Sequence, residues 1–265
     1  MPLSAPDTLG AGETAPDSVP SAAPLAARTD DNKRKHPDAT RPHPYRYRLE
    51  DTTMLTVERI SVMNFENAIR GARNPMNSWA RMDSYYDEAG NYHLGENDLS
   101  LATRLARAGS DHRKYLRQVM VSMDITAPLY WWKEFDTYKV GTVANSCSTM
   151  HKIHAKAFSR EDFACDRMTP DALAVLDAII AYLEAERLQY VETKELPHWH
   201  NMIQLLPSSY LQMRTVTMNY EVLIHIYAAR KNHKLAEWHD LCDAIRTLPY
   251  ARELILLSDE EGENA

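Results

Sequence analysis

Glycine is scarce in this chain, with eight in 265 residues, and no run has the form G-x-G-x-x-G or G-x-x-x-x-G-K. Glycine loops that cradle phosphate, of the P-loop or dinucleotide-binding kind, are therefore excluded, as is the G-x-S-x-G turn of a hydrolase nucleophile. Cysteine is scarcer still. Cys147, Cys165 and Cys242 lie far apart, which excludes a disulfide framework and fits free thiols in a reducing cytoplasm. Cys147 with His151 and His154, and His198 with His200, lack the paired spacing of a zinc site, so no metal is expected. No apolar run approaches the roughly 18 residues that cross a bilayer, so no membrane partner is expected. Positive charge is also in deficit. The formal net charge of −7 argues against a nucleic-acid polymer as partner, while a single nucleotide held by a local cation cluster is compatible with it.

What is abundant is unevenly placed. Eight of the fourteen prolines fall in the first 45 residues, with no aromatic residue before Tyr45. Such a segment cannot bury enough apolar surface to offset the entropy of ordering, so residues 1–45 are expected to be a disordered Pro/Ala-rich tail. It has neither the apolar stretch of a secretory signal nor the acid-poor composition of a transit peptide. Lys33-Arg34-Lys35-His36 is a small basic patch within it. Residues 46–257 are enough for one core, and the acidic end, 258–265, is expected to be loose.

Along the folded part, Met54–Val62 alternates and predicts a strand, followed by a helix over FENAIRGAR with Asn64 as its cap. Arg70 and Arg73 share a face of that helix and read as solvated surface. Residues 77–95, rich in Tyr, Asp, Asn and Gly, read as a long loop. From Asn97 a helix is expected with Leu99, Ala102, Leu105 and Ala106 inward and Gly109 at its end. Asp111–Arg117 predicts a further helical turn, and Gln118–Thr126 a strand. Thr169-Pro170 opens a helix to about Tyr190 that buries Leu173, Leu176, Ile179, Ile180 and Leu183. A helix over Pro197–Leu206, a strand over Tyr210–Met218 and helices over Asn219–Arg230 and Leu235–Leu248 complete an α+β class: a helix-rich single domain with a small, mostly antiparallel sheet.

The chemistry is expected in Asp124–His151, DITAPLYWWKEFDTYKVGTVANSCSTMH. Pro128 suits the first turn of a helix, and Leu129, Trp132, Phe135 and Tyr138 recur at helical spacing. The run Asn145-Ser146-Cys147-Ser148-Thr149 then has the composition of a loop that turns backbone N–H groups and hydroxyls toward an anion. The local alternative is a helix end followed by an ordinary Ser/Thr turn.

From about Leu55 to Leu254 the order of these pieces resembles the flavin-dependent thymidylate synthases. Three stretches carry the resemblance: VMNFENAIRGAR, the Ala127-Pro128 helix with its Ser-rich sequel, and LLPSSYLQMRTVTMNYEVLIHIYAARKNHKLAEW. In the last, Leu206-Pro207, Thr217, Asn219, Arg230 and Trp238 match the family's spacing. The departures are as informative. The family's Arg-His-Arg triplet is Thr137-Tyr138-Lys139 here, its loop Glu is Ser146, the Arg that ends the motif is Met150, and two further arginines fall on Ile203 and Glu221. Most of the charge that grips the FAD pyrophosphate and the dUMP phosphate is thus replaced.

The resemblance implies a methyltransferase that moves a one-carbon unit from methylenetetrahydrofolate to C5 of dUMP, with FAD as intermediate carrier and NADPH as reductant, in a homotetramer. By the same resemblance Arg230 and Ser148 are the catalytic pair. Lys139, Tyr138, Asn145, Asn219 and His225 are assigned to the cofactor, and Ser146, Ser148, Arg230 and Glu134 to the pyrimidine nucleotide. Arg230 also has a local role open to it, closing the last carbonyls of its helix. The alternatives are a relative that makes another modified pyrimidine nucleotide, a nucleotide-binding or oligomeric protein without flavin, and an interaction module whose N-terminal tail carries the partner.

Overall fold

The computed structural model describes residues 55–259, so the N-terminal tail, the basic patch and residues 260–265 lie outside it. A four-stranded antiparallel sheet is the frame. Its central strand β4 (Met120–Pro128) pairs with β1 (Thr56–Met63) on one side and β6 (Leu211–Asn219) on the other, and β5 (Thr142–Ser146) closes the far edge against β6. Alternation along β4 drives Val121, Met123, Ile125 and Ala127 into the core, as expected of a strand buried on one face. A bulge at Arg59, which takes a positive φ of 54°, shifts the register of β1 between Glu58 and Ser61.

Helix α1 (Phe65–Arg73) follows β1 directly, in agreement with the sequence. Asn64 stands at its N-cap position, in the left-handed region, and makes no capping bond. The stretch 77–95 departs from the loop expected of it. It holds a short 3-10 turn at Trp79–Arg81 and a hairpin of β2 (Tyr85–Tyr86) with β3 (Tyr92–His93). The turn of that hairpin is fixed by Asp87, which accepts from the Asn91 backbone N–H at 2.8 Å and faces His93 Nε2 at 2.7 Å. This local carboxylate bonding substitutes for the strand propensity that two-residue strands lack.

Helix α2 (Glu96–Arg107) begins one residue before the expected Asn97. Asp83, from the preceding turn, caps it by accepting from the N–H groups of Asn97 at 2.8 Å and Asp98 at 3.0 Å. Arg73, read as solvated, is instead buried. Its Nε and Nη2 both reach Asp98 Oδ1 at 2.6 Å, and Asp98 Oδ2 accepts from the Asp83 and Ser84 N–H groups and the Ser84 hydroxyl. A guanidinium with no exposed edge needs such a carboxylate, and a surface arginine does not.

After β4 come α3 (Leu129–Phe135), then β5, α4 (Pro170–Thr193) and α5 (Leu196–Leu205). Thr169 caps α4 as expected, and Leu176 and Leu183 are its two buried residues. β6 leads into α6 (Tyr220–Arg230), α7 (Ala236–Arg246) and the short α8 (Ala251–Leu254). Apolar burial is divided. One cluster joins the sheet to α1, α2, α3, α6, α7 and α8, and a second, around Phe163, Leu176, Leu183 and Met202, lies under α4 and α5. The loose acidic end also begins later than expected: Asp259 accepts from Lys231 Nζ at 2.7 Å and from the Tyr227 hydroxyl at 2.7 Å.

Candidate active site

Helix α6 starts and ends on residues the sequence singled out. Asn219 is its N-cap, the side-chain oxygen accepting from the Val222 N–H at 3.0 Å. Gly141, at φ 78°, brings the backbone ahead of β5 against that amide: a Cβ there would stand 2.7 Å from Asn219 Nδ2. Glycine is required at this approach on two counts, the left-handed φ and the missing space.

Arg230 closes α6. Its Nε donates to the Tyr138 hydroxyl at 2.9 Å and its Nη1 to Glu134 Oε2 at 2.9 Å. The guanidinium carbon sits 4.4 Å from the centre of the Trp238 ring. Glu134 Oε2 also accepts from Trp238 Nε1 at 2.9 Å and lies 3.5 Å from His233 Nε2. Trp131, Trp132, Phe135 and Trp238 pack edge and face behind the group, so the cation rests on a rigid aromatic floor. Only 17 % of the Arg230 side chain is exposed. The pairing leaves Nη2 outside these bonds, a single donor edge held in place by three partners.

Three of the residues the resemblance named, Arg230, Glu134 and Tyr138, are therefore brought together, while the others are placed elsewhere. Asn145 and Ser146 lie on β5, paired with Thr215 and Arg214, so the run is an edge strand where an anion-facing loop was expected. Its first half bonds to β6, and Cys147 N–H continues the pairing to Met213 O at 2.9 Å. Ser148 forms a turn: its Oγ accepts from the Met150 and His151 N–H groups at 3.2 and 3.0 Å and contacts His151 Nδ1 at 2.8 Å. No hydrogen bond or ring contact among the described residues joins this turn to Arg230. Lys139 is exposed, and so is His225, whose Nε2 lies 3.4 Å from Glu221 Oε1. Glu221, where the family has an arginine, is buried and bonded by Arg113 Nε to both oxygens at 3.1 Å.

Sequence reasoning missed the partners rather than the residues. Nothing in the local pattern ties Glu134 to Arg230 or Arg113 to Glu221 across about a hundred positions. Tyr130, beside the aromatic floor, was also passed over; burial and its bond to Glu237 push its phenol well up, so it stays a proton donor. The one usable signal was the stripe Trp131, Trp132 and Phe135, whose density in seven residues marks a floor.

No protein-family model and no curated protein matches the sequence. The likeness lies in three dimensions, and the fold is that of the flavin-dependent thymidylate synthases. Thymidylate synthase X (ThyX) from Helicobacter pylori, solved with FAD and dUMP, superposes with a TM-score of 0.56 at 17 % identity, covering 77 % of this chain and 98 % of that one. A second structure of the flavin-dependent thymidylate synthase ThyX from the same organism, again with FAD and dUMP, gives 0.56 at 16 % identity over 74 % and 98 % of the two chains.

Proposed function

We propose that this chain is a FAD-dependent enzyme acting at C5 of dUMP or a closely related pyrimidine nucleotide, with Arg230 holding the oxygen edge of the ring. The observation that supports it most is the setting of Arg230. A planar guanidinium pinned by Tyr138, Glu134 and Trp238 presents its remaining donor edge without having to reorganise, which is what stabilises charge building on a ring carbonyl as C5 becomes nucleophilic. Glu134 orients that cation and Trp238 orients Glu134, so the three act as one unit.

In this reading the ring end of the flavin is met at the start of α6, where Asn219 stands against Gly141. Bound there, FAD supplies the redox and one-carbon transfer chemistry that no side chain here can provide. Methylenetetrahydrofolate as donor, NADPH as reductant and a cytoplasmic setting belong to the same reading. The phosphate end is built differently from the family's. Ile203 packs into the second core, Met150 is exposed and Glu221 is a carboxylate. Exposed Lys139, His151 and Lys152, with Ser146, Ser148, Asn145 and His225, are the groups left to meet phosphate, and they do so from another subunit of an oligomer.

Oligomerisation is supported by α4 and α5, which leave Val175, Tyr182, Leu188, Val191, Leu196 and Leu205 each more than 40 % exposed. Apolar surface of this extent on two adjacent helices fits a face covered by another copy of the chain. Light scattering after gel filtration is expected to give the mass of a tetramer, and Leu188→Glu with Val175→Glu to reduce it. A wild-type monomer contradicts this.

A second reading keeps the nucleotide and drops the flavin, favoured by the carboxylates Glu134 and Glu221 that neutralise Arg230 and Arg113. Purification separates the two. A yellow protein with a flavin absorbance band is the expected result, whereas a colourless protein that takes up no FAD but binds dUMP means the second reading is correct.

A further inference from the structure

A cleft lined by neither Arg230 nor its partners lies between the β2–β3 hairpin, the start of α1 and the α7–α8 turn. It measures about 670 Å³ and runs into a second hollow of about 570 Å³, the two sharing Met63, Asn64, Phe65, Tyr86 and Tyr92. Its walls are aromatic. Tyr86 and Tyr92 lie 5.0 Å apart at an open angle of 59°, Phe65 meets Tyr250 edge to face, and Tyr86 keeps more than half its surface in solvent. The hairpin is tied down at both ends, by Asp87 at its turn and by the Leu94 N–H donating to the Tyr250 hydroxyl at 2.8 Å, so the cleft is a formed feature.

The polar groups here are chiefly donors and amides. Asn64 adopts φ 74°, and its side chain is used up: Nδ2 donates to Gln118 O at 2.9 Å and Oδ1 accepts from Asn67 Nδ2 at 2.7 Å. It therefore cannot cap α1, and the first-turn N–H groups of Phe65, Glu66 and Asn67 are left without a side-chain partner on residues that line the hollow. Tyr250, also lining the cleft, has φ 55°. Neither lysine nor arginine is among the lining residues, and Glu66, bonded by the Tyr86 hydroxyl at 2.7 Å, is the one acid.

We propose that this cleft is a second binding site, distinct from Arg230, for an uncharged planar heteroaromatic ring with carbonyl oxygens, of the nucleobase or nucleoside class. The ring stacks on Tyr86, its carbonyl edge meets the open N–H groups of α1, and Asn67 and Asn91 read its remaining edge. The positive end of the α1 dipole favours an acceptor there. Glu66 and the lack of a cation disfavour a phosphate.

The test uses the full-length protein and saturation-transfer NMR titrations with uridine, inosine, adenosine and UMP. Uridine and inosine are expected to bind saturably, and adenosine, which has an amino group in place of the inosine carbonyl, more weakly. Tyr86→Ala is expected to weaken uridine and inosine about tenfold, the scale of one lost base–aromatic stack. Inosine, a purine that a site built for C5 of a pyrimidine does not take, reports this cleft alone, so failure here is distinguishable from failure of the enzymatic reading. Tyr86 is more than half exposed, with its hydroxyl on Glu66 and its ring against Tyr92, and an unchanged melting temperature in Tyr86→Ala shows that its fold is intact. The proposal is overturned by absence of saturable inosine binding, by inosine binding that Tyr86→Ala leaves unchanged, by adenosine binding as tightly as inosine, or by UMP binding more tightly than uridine through Tyr86.

Discussion

Replacing Arg230 by lysine is expected to lower turnover at C5 of dUMP by about 100-fold or more, the usual effect of losing a positioned donor to a developing oxyanion. The melting temperature should change little. Lysine preserves the charge beside Glu134, so the half-buried carboxylate keeps a cation and the helix end keeps its favourable sign. What lysine cannot preserve is the fork. It cannot donate to Tyr138 and Glu134 at once, lie flat on Trp238 and still offer a fixed edge to a ring carbonyl. Arg230→Ala should also abolish turnover, with an added stability loss of about 1–2 kcal/mol because Glu134 is left without its main partner. The readouts are the rate of C5 tritium release and the thermal midpoint. Lysine or alanine variants that retain wild-type turnover would remove Arg230 from the chemistry.

The largest stability effect is expected far from that site, at Asp98→Asn. The asparagine is nearly isosteric but uncharged, and it leaves the Arg73 guanidinium, 4 % exposed, buried without a counter-ion. Breaking such a pair from one side costs about 3–5 kcal/mol. For a domain of this size that is a fall of roughly 10 °C in melting temperature. The pH dependence follows. Burial alone would raise the Asp98 pKa, but the Ser84 hydroxyl, Arg73 and the backbone N–H groups of Asp83 and Ser84 outweigh it and hold the carboxyl below its ordinary value. A carboxylate depressed in the folded state stabilises fully above its unfolded pKa of about 3.9 and loses that contribution as pH falls from there. The gap between wild type and Asp98→Asn should thus be constant between about pH 5 and 8 and narrow below about pH 4. A gap that widens in acid would mean that Asp98 is not the ionised partner.

The fold was legible wherever burial imposes a period. The alternation of β4 and β6, the start of α4 at Thr169-Pro170 and the buried side of α6 could all be read, because each buries one face of a regular element. β5 could not. It is an edge strand exposed along nearly its whole length, so nothing in VANS distinguishes it from a loop. The β2–β3 hairpin escaped for a related reason: two-residue strands held by Asp87 and Tyr250 owe their existence to tertiary bonds. At the candidate site the residue types were legible and their pairing was not. Arg230 and Glu134 could be named from the resemblance, yet that they neutralise each other depends on how α3 and α6 pack. The same holds for Arg113 and Glu221, and for Arg73, whose burial depends on an aspartate 25 positions away.

One measurement bears most directly on the assignment: release of tritium from C5-labelled dUMP by the purified protein with FAD, NADPH and methylenetetrahydrofolate. Release that requires both the protein and the flavin, and that falls about 100-fold in Arg230→Lys, is the outcome expected if Arg230 holds the ring while C5 reacts. A flavin-loaded wild-type protein that binds dUMP and releases no tritium would contradict it.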